Sequence, residues 1–358
     1  MEDSDRGNIG LHNKEDIMRK IAVFAICAAL FLSFAVNFEK NAAFAAAADE
    51  YQRMTLKLST SASDQGVDAL AAKLFGELLD KASDGKIKVR VFPNAQLAGG
   101  SMPKNIALLA QGGQFEMAVL SASVLGNLDE KFLTVGVPFT FANYEEVNKR
   151  LDGTGGKWLA EMLEPRGIVY LSAMHNGLKQ LTNGKREIRS PKDLQGLKIR
   201  IPGGEVGIRT FKAFGSDPVA MSWTELFTAL QQGTVDGQEN SYQTIDAGKL
   251  YEVQKFLTEW NYCYDGYFFL MNKKDWDKLN EPTQKLLREK AVEAGLWGRK
   301  YLEDGETELK KKFKENGVTI TELSAEELQA FRDFVKPVQE YFIDKFGAEA
   351  AAAWGLEK

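Results

Sequence analysis

Apolar and polar positions after residue 50 fall into two alternating periods. Residues 54–60 (MTLKLST) read as a strand. After Asp64-Gln65-Gly66, the residues Val67, Leu70, Ala71, Leu74, Phe75, Leu78 and Leu79 recur at helical spacing, and Gly85 closes that segment. Lys86 to Val91 then alternates Lys, Ile, Lys, Val, Arg, Val, which predicts a half-buried strand ending at Pro93. Strand, helix and strand at this spacing make a βαβ unit. A second round follows, with a helix around 103–111, a Gly112-Gly113 break and a strand at 115–120.

Further along, residues 144–164 predict a helix and 167–171 a strand. Asn183-Gly184 marks a turn, and Ser190-Pro191-Lys192-Asp193 has the form of a helix start. Residues 196–202 (GLKIRIP) are a strand running into a turn. Ser222-Trp223-Thr224-Glu225 is a capping box, followed on one face by Leu226, Phe227 and Leu230 and closed by Gly233. An extended piece at 235–240, a longer helix at about 242–257 and an aromatic strand at 260–272 come next. From Lys274 the pattern is helical to the end. The expected fold is α/β, with mixed sheets in two lobes. In such folds ligands sit at the carboxyl ends of strands, near the lobe crossings.

The N-terminus changes the picture. Residues 21–36 (IAVFAICAALFLSFAV) are a continuous apolar run preceded by Arg19-Lys20 and followed by Ala42-Ala43-Phe44-Ala45-Ala46-Ala47. That order predicts a secretory signal peptide over 18–47, cleaved near Ala45 or Ala47, with Met18 where a start codon is expected. Residues 1–47 are thus a leader, and export to the periplasm is expected. The run is short for a membrane anchor, and Ile26 before Cys27 argues against a lipid-attachment site. Removal of the leader leaves Cys263 as the only cysteine and His175 as the only histidine, too few for a disulfide framework or a cysteine-based zinc site. No metal or cofactor is expected. With 44% hydrophobic and 27% charged residues the chain is globular, and a net charge of −5 without a basic block gives nucleic acid no footing.

Enzyme signals fail one by one. Gly153-Thr154-Gly155-Gly156-Lys157 imitates a phosphate loop, yet Trp158 stands where Ser or Thr should follow the lysine. Pro202-Gly203-Gly204-Glu205-Val206-Gly207 has the wrong glycine spacing for a dinucleotide site. Cys263 lies between Tyr262 and Tyr264 in a strand pattern, where a packed thiol is expected rather than a nucleophile paired with His175. What remains is a binding constellation. Arg200 ends an apolar strand, where its planar fork can grip a carboxylate. Trp223 opens a capped helix, and Asn240 ends the run Asp236-Gly237-Gln238-Glu239-Asn240. Each also has an ordinary explanation: a salt bridge, core packing and a helix cap.

Residues 196–257, with GLKIRIP, PVAMSWTELFTALQQGTVDGQEN and YEVQKFL, closely resemble the solute-binding proteins of TRAP transporters. So do KIKVRVFPNAQLAG at 86–99 and KQLTN at 179–183, and the resemblance runs from about 52 to about 345. It implies a two-lobed, Venus-flytrap protein with a long helix spanning both lobes. The first lobe would comprise 48–177 with 266–305, and the second 178–265 with 306–358. It implies an extracytoplasmic, monomeric protein, without enzymatic activity, that captures a small organic acid for membrane permease subunits. Arg200 would then pair with the ligand carboxylate, with Lys179, Trp223, Asn240 and Glu239 beside it. Ser61, Asp64, Ser121 and Ser123 would lie on the first lobe. The family usually carries Arg where Lys179 stands, which implies a single-point contact there. The flat face of Trp223 suits a hexuronate or another sugar acid better than a C4-dicarboxylate. Two other functions stay open at this point: a ligand-sensing protein serving a membrane receptor, and an exported enzyme acting on acidic sugars.

Overall fold

In the computed structural model, which describes residues 50–356, the chain from Gln52 onward is built on two sheets; the predicted leader lies outside the described residues. In chain order the first strands are β1 (Met54–Thr60), β2 (Ile87–Phe92), β3 (Met117–Ser121), β4 (Ile168–Leu178), β5 (Gln180–Asn183) and β6 (Lys198–Ile201). They are followed by β7 (Asp217–Ala220), β8 (Gly237–Asn240), β9 (Phe256–Glu259), β10 (Tyr264–Asn272) and β11 (Thr319–Glu322). The first sheet has the order β2-β1-β3-β10-β4, and the second β11-β9-β5-β8-β6-β7. Both are mixed. In the first, β1 lies parallel to β2 and β3, whereas β10 runs antiparallel to β3 and β4. In the second, β6 is parallel to β7 and β8, and β5 is antiparallel to β8 and β9.

The predicted βαβ unit forms as its periodicity requires. Helix Val67–Ala82 joins β1 to β2 and buries Val67, Ala71, Ala72, Phe75 and Leu79. Burying each of the larger side chains contributes about 1.5–3 kcal/mol. Phe75 meets Phe269 of β10 with ring centroids 5.5 Å apart, which fixes the helix over the sheet.

Three connections join the two sheets. At the first, β4 passes into β5 through Lys179; at the second, residues 260–263 lead from β9 into β10. These two strands of chain bond to each other: Lys179 N donates to Cys263 O (2.9 Å) and Tyr262 N donates to Lys179 O (3.3 Å). The third is helix Glu281–Glu315, whose 35 residues span about 52 Å at the α-helical rise. Near its middle, Arg299 donates to Ala173 O of β4 (3.1 Å). Farther on, Gln243 donates to its Leu302 carbonyl (2.7 Å), and Phe313 stacks on Tyr242 and Tyr251. The final helix, Ala348–Trp354, packs on helix Thr154–Leu163 beside the first sheet, where Thr154 Oγ1 donates to Ala353 O (2.7 Å).

Several predicted elements break where the pattern ran on. The helix expected over 144–164 is two, Tyr144–Leu151 and Thr154–Leu163, because Gly153 leaves the helical region between them. The helix expected over 242–257 stops at Ala247: Lys249 takes a left-handed φ of 51°, and Phe256 onward pairs with β5 and β11 instead. The helical C-terminus is interrupted by Gly317 and by β11, whose Thr-Ile-Thr run favours a strand.

Candidate functional site

The carboxyl ends of β1, β3, β6 and β8 converge on a cavity of ≈ 630 Å³. Arg200 and Lys179 reach it, with Ser61, Ser121, Ser123, Trp223 and Asn240 among its other walls. Most of the constellation read from the sequence is therefore assembled in one place.

Arg200 occupies a buried position on β6 because Ile199 and Ile201 flank it in the core. Its Nε donates to Met221 O (3.0 Å), which orients the fork, and among the described residues no carboxylate is ion-paired with it. Burial pushes the guanidinium down to about 10, against the attraction of Glu239 and Glu225. A buried cation of this kind favours an anion brought from outside.

Lys179 is bound differently. Burial disfavours its charge, but Glu239 and Asp265 outweigh that and hold the ammonium above the ordinary lysine range. Its Nζ lies 3.0 Å from Glu239 and 3.6 Å from Asp265. Glu239 does not line the main cavity; it lines a void of ≈ 50 Å³ next to it, where it serves as the partner of Lys179. Burial raises the Glu239 carboxyl, and Lys179 opposes that rise.

On the second lobe, the capping box around Ser222 forms, with Ser222 Oγ 2.6 Å from Glu225 Oε2. It starts helix Trp223–Gln231 and so delivers the Trp223 indole, half-buried, to the cavity rim. Asn240 Nδ2 donates to Gln238 Oε1 (2.6 Å), leaving the amide oxygen for other partners. On the first lobe, the buried Ser61 hydroxyl has no protein partner among the described residues. Ser121 and Ser123 hydroxyls lie 2.8 Å apart.

Asp64 is not brought to the cavity. Its loop turns back through Gly66 N donating to Ser63 O, and the Asp64 carboxylate faces outward to Lys73 (2.8 Å). The buried acid of that loop is Asp68, which accepts from the backbone of Ser61, Ala62 and Ala69 and so fixes the Ser61 wall. Burial raises its carboxyl to about 6 despite those three donors. Sequence reading also missed Asn176, Thr244 and Asp265, which line the cavity. Asp265 had a usable signal, as the one charge in the apolar stretch 260–272. Among the described residues no group of three His, Cys, Asp or Glu side chains is placed to hold a metal. Cys263 is buried, and burial raises its thiol far above the ordinary range.

The profile of the bacterial extracellular solute-binding proteins, family 7 (DctP), matches residues 58–345. The chain belongs to this family. Among its relatives, the 2,3-diketo-L-gulonate-binding periplasmic protein YiaO of Escherichia coli K12 is 31% identical over 305 residues, 84% of this chain and 90% of that one. A TRAP periplasmic solute-binding protein of Ralstonia eutropha H16, solved with (S)-2-acetolactate, superposes with a TM-score of 0.81 at 30% identity, covering 84% of this chain and 98% of that one. The sugar acid binding protein DctPAm of Advenella mimigardefordensis, in complex with galactonate, gives 0.81 at 32% identity, covering 86% and 98%. The fold is thus the two-lobed binding-protein fold expected from the sequence, with the long helix running along both lobes.

Proposed function

We propose that this family 7 protein is the extracytoplasmic solute-binding subunit of a TRAP transporter, and that it takes a small carboxylate between its lobes and delivers it to the membrane permease unchanged. One observation carries this: Arg200 is a buried guanidinium at the cavity wall, oriented by Met221 O and without a carboxylate partner among the described residues. In this reading Arg200 clamps the carboxylate, while Trp223, Asn240, Ser61, Ser121 and Ser123 contact the rest of the ligand. Lys179, held by Glu239, sets the positive potential of the floor, and Asp64 has no part.

Residues 48–177 with 266–305 serve as one lobe, joined by the final helix Ala348–Trp354 that packs on it, and 178–265 with the chain from 306 up to that helix as the other. The acid meets one lobe first. Closure then adds contacts from the other and excludes water, and the closed state is populated by its higher affinity for the ligand. Micromolar affinity corresponds to about 8 kcal/mol, which one desolvated charge pair, stacking on Trp223 and several neutral hydrogen bonds can supply. The flat indole favours a hexuronate or another sugar acid over a C4-dicarboxylate, and the galactonate of the Advenella protein supports the same choice. The protein works as a monomer in the periplasm once residues 18–47 are cleaved.

A thermal-shift screen of the mature protein against hexuronates, aldonates, C4-dicarboxylates, keto acids and sialic acid tests this, because a ligand that binds only the folded state raises its melting temperature. A clear upward shift with one acid class is expected. Refolded protein that shifts with none of them would overturn the proposal.

A further inference from the structure

We infer that Asp265, at the start of β10, makes the wall of the cavity around it select a ligand's hydroxyl donors, so that the protein takes polyhydroxylated monocarboxylates and discriminates against dicarboxylates. The inference rests on the function proposed above.

Asp265 is the end point of two chains of hydrogen bonds. In one, Ser123 Oγ donates to Asp265 Oδ2 (3.0 Å) and lies 2.8 Å from Ser121 Oγ. A hydroxyl has a single proton. With the Ser123 proton committed to the carboxylate, the Ser121–Ser123 bond must be donated by Ser121. In the other chain, Ser241 donates to Thr244 (3.1 Å), Thr244 donates to Asn176 Oδ1 (3.1 Å), and Asn176 Nδ2 donates to Asp265 Oδ2 (3.1 Å). All the hydroxyl protons along both paths point inward, towards Asp265. Ser121 and Thr244 are then left with lone pairs only, and both line the cavity. Asp265 is itself only 4% exposed, and its second oxygen, Oδ1, is buried without a protein donor. The wall has acceptors to spare.

A sugar acid suits this wall. Its carboxylate goes to Arg200, and its hydroxyls can donate to the lone pairs of Ser121 and Thr244. A second carboxylate, acceptor-only itself, would meet those lone pairs and the Asp265 charge.

The test is calorimetric titration of the mature wild type, Asp265→Asn and Ser121→Ala with galactonate and with succinate. Asp265→Asn removes the charge while its amide oxygen, in the place of Oδ2, keeps the donors of both chains; Ser121→Ala removes the cavity end of the first chain without touching β10. Wild type should bind galactonate at least tenfold more tightly than succinate. Asp265→Asn should tighten succinate at least several-fold while changing galactonate less, and Ser121→Ala should weaken galactonate several-fold and succinate less. A merely structural role would weaken both ligands together. Succinate bound by wild type as tightly as galactonate, or a ratio unchanged in both variants, would overturn the inference and leave the carboxylate-binding function standing. Wild type binding no acid would overturn that function, and this inference with it.

Discussion

Trp223 shows how one side chain can serve both packing and ligand contact. A Cβ built on Gly248 would come within 2.8 Å of Trp223 Cη2 and 2.9 Å of Cζ2, so the glycine is the floor on which the indole rests. Gly248 has an ordinary φ of −88°, so alanine there carries no backbone strain and presses first on the indole, with Leu250 Cγ next at 3.3 Å. Gly248→Ala should therefore weaken binding of the acid about 3- to 10-fold, roughly 1 kcal/mol, with little change in the melting temperature of the free protein. Unchanged affinity in a calorimetric titration would mean that Trp223 is packing only. Arg200 and Trp223 were legible in the sequence because each stands at an element boundary: a charge closing an apolar strand, and an indole opening a capped helix. Asn176 and Thr244 were not, since an amide or hydroxyl in a polar stretch carries no mark of the direction in which it points. Asp64 and Asp68 both fall near the first turn of a helix in the sequence, and only the backbone path of 61–66 decides which carboxylate turns inward.

At the scale of elements, Asp68 gives the β1–helix loop a pH dependence whose sign can be worked out. Its folded carboxyl titrates at about 6, above the ordinary value of 3.8 that applies to the unfolded chain. The folded state therefore holds this proton more tightly, and the stability it contributes is fully present below about pH 4 and lost as pH rises through about 6. A difference of this size corresponds to on the order of 3 kcal/mol. Denaturant unfolding of wild type and Asp68→Asn should give stability curves whose difference shifts by a few kcal/mol between pH 4 and pH 7, wild type losing relative to the variant as pH rises. Parallel curves would show that Asp68 is ionised at neutral pH at no cost. The strands and the βαβ units were legible from periods of two and 3.6. The breaks at Lys249 and before β11 were not, because strand pairing farther on overrode a helical pattern that continued through them, and at Gly153 a single glycine leaves the helical region inside a pattern that runs on.

For the molecule as a whole, the arrangement places a cavity between two lobes that are tied by two hydrogen-bonded crossings and one long helix. At the cavity rim a further contact joins the lobes: Leu133 lies where a Cβ on Gly204 would be, and Lys345 bridges Glu130 (2.6 Å) and Glu205. Lys345 and Arg209 hold the Glu205 carboxyl down at about 2. Such a frame can open and shut around a bound anion, and its central element is the guanidinium with which no described carboxylate is ion-paired. The most direct test is a calorimetric titration of wild type and Arg200→Ala with whichever acid raises the melting temperature most. Loss of the fork should cost on the order of 2–5 kcal/mol, about 30-fold to several thousand-fold in Kd, because the carboxylate would be buried unpaired. The free variant should still fold, since it loses a buried charge that no described carboxylate pairs. Wild-type affinity in Arg200→Ala would contradict the account: the acid would then be anchored elsewhere.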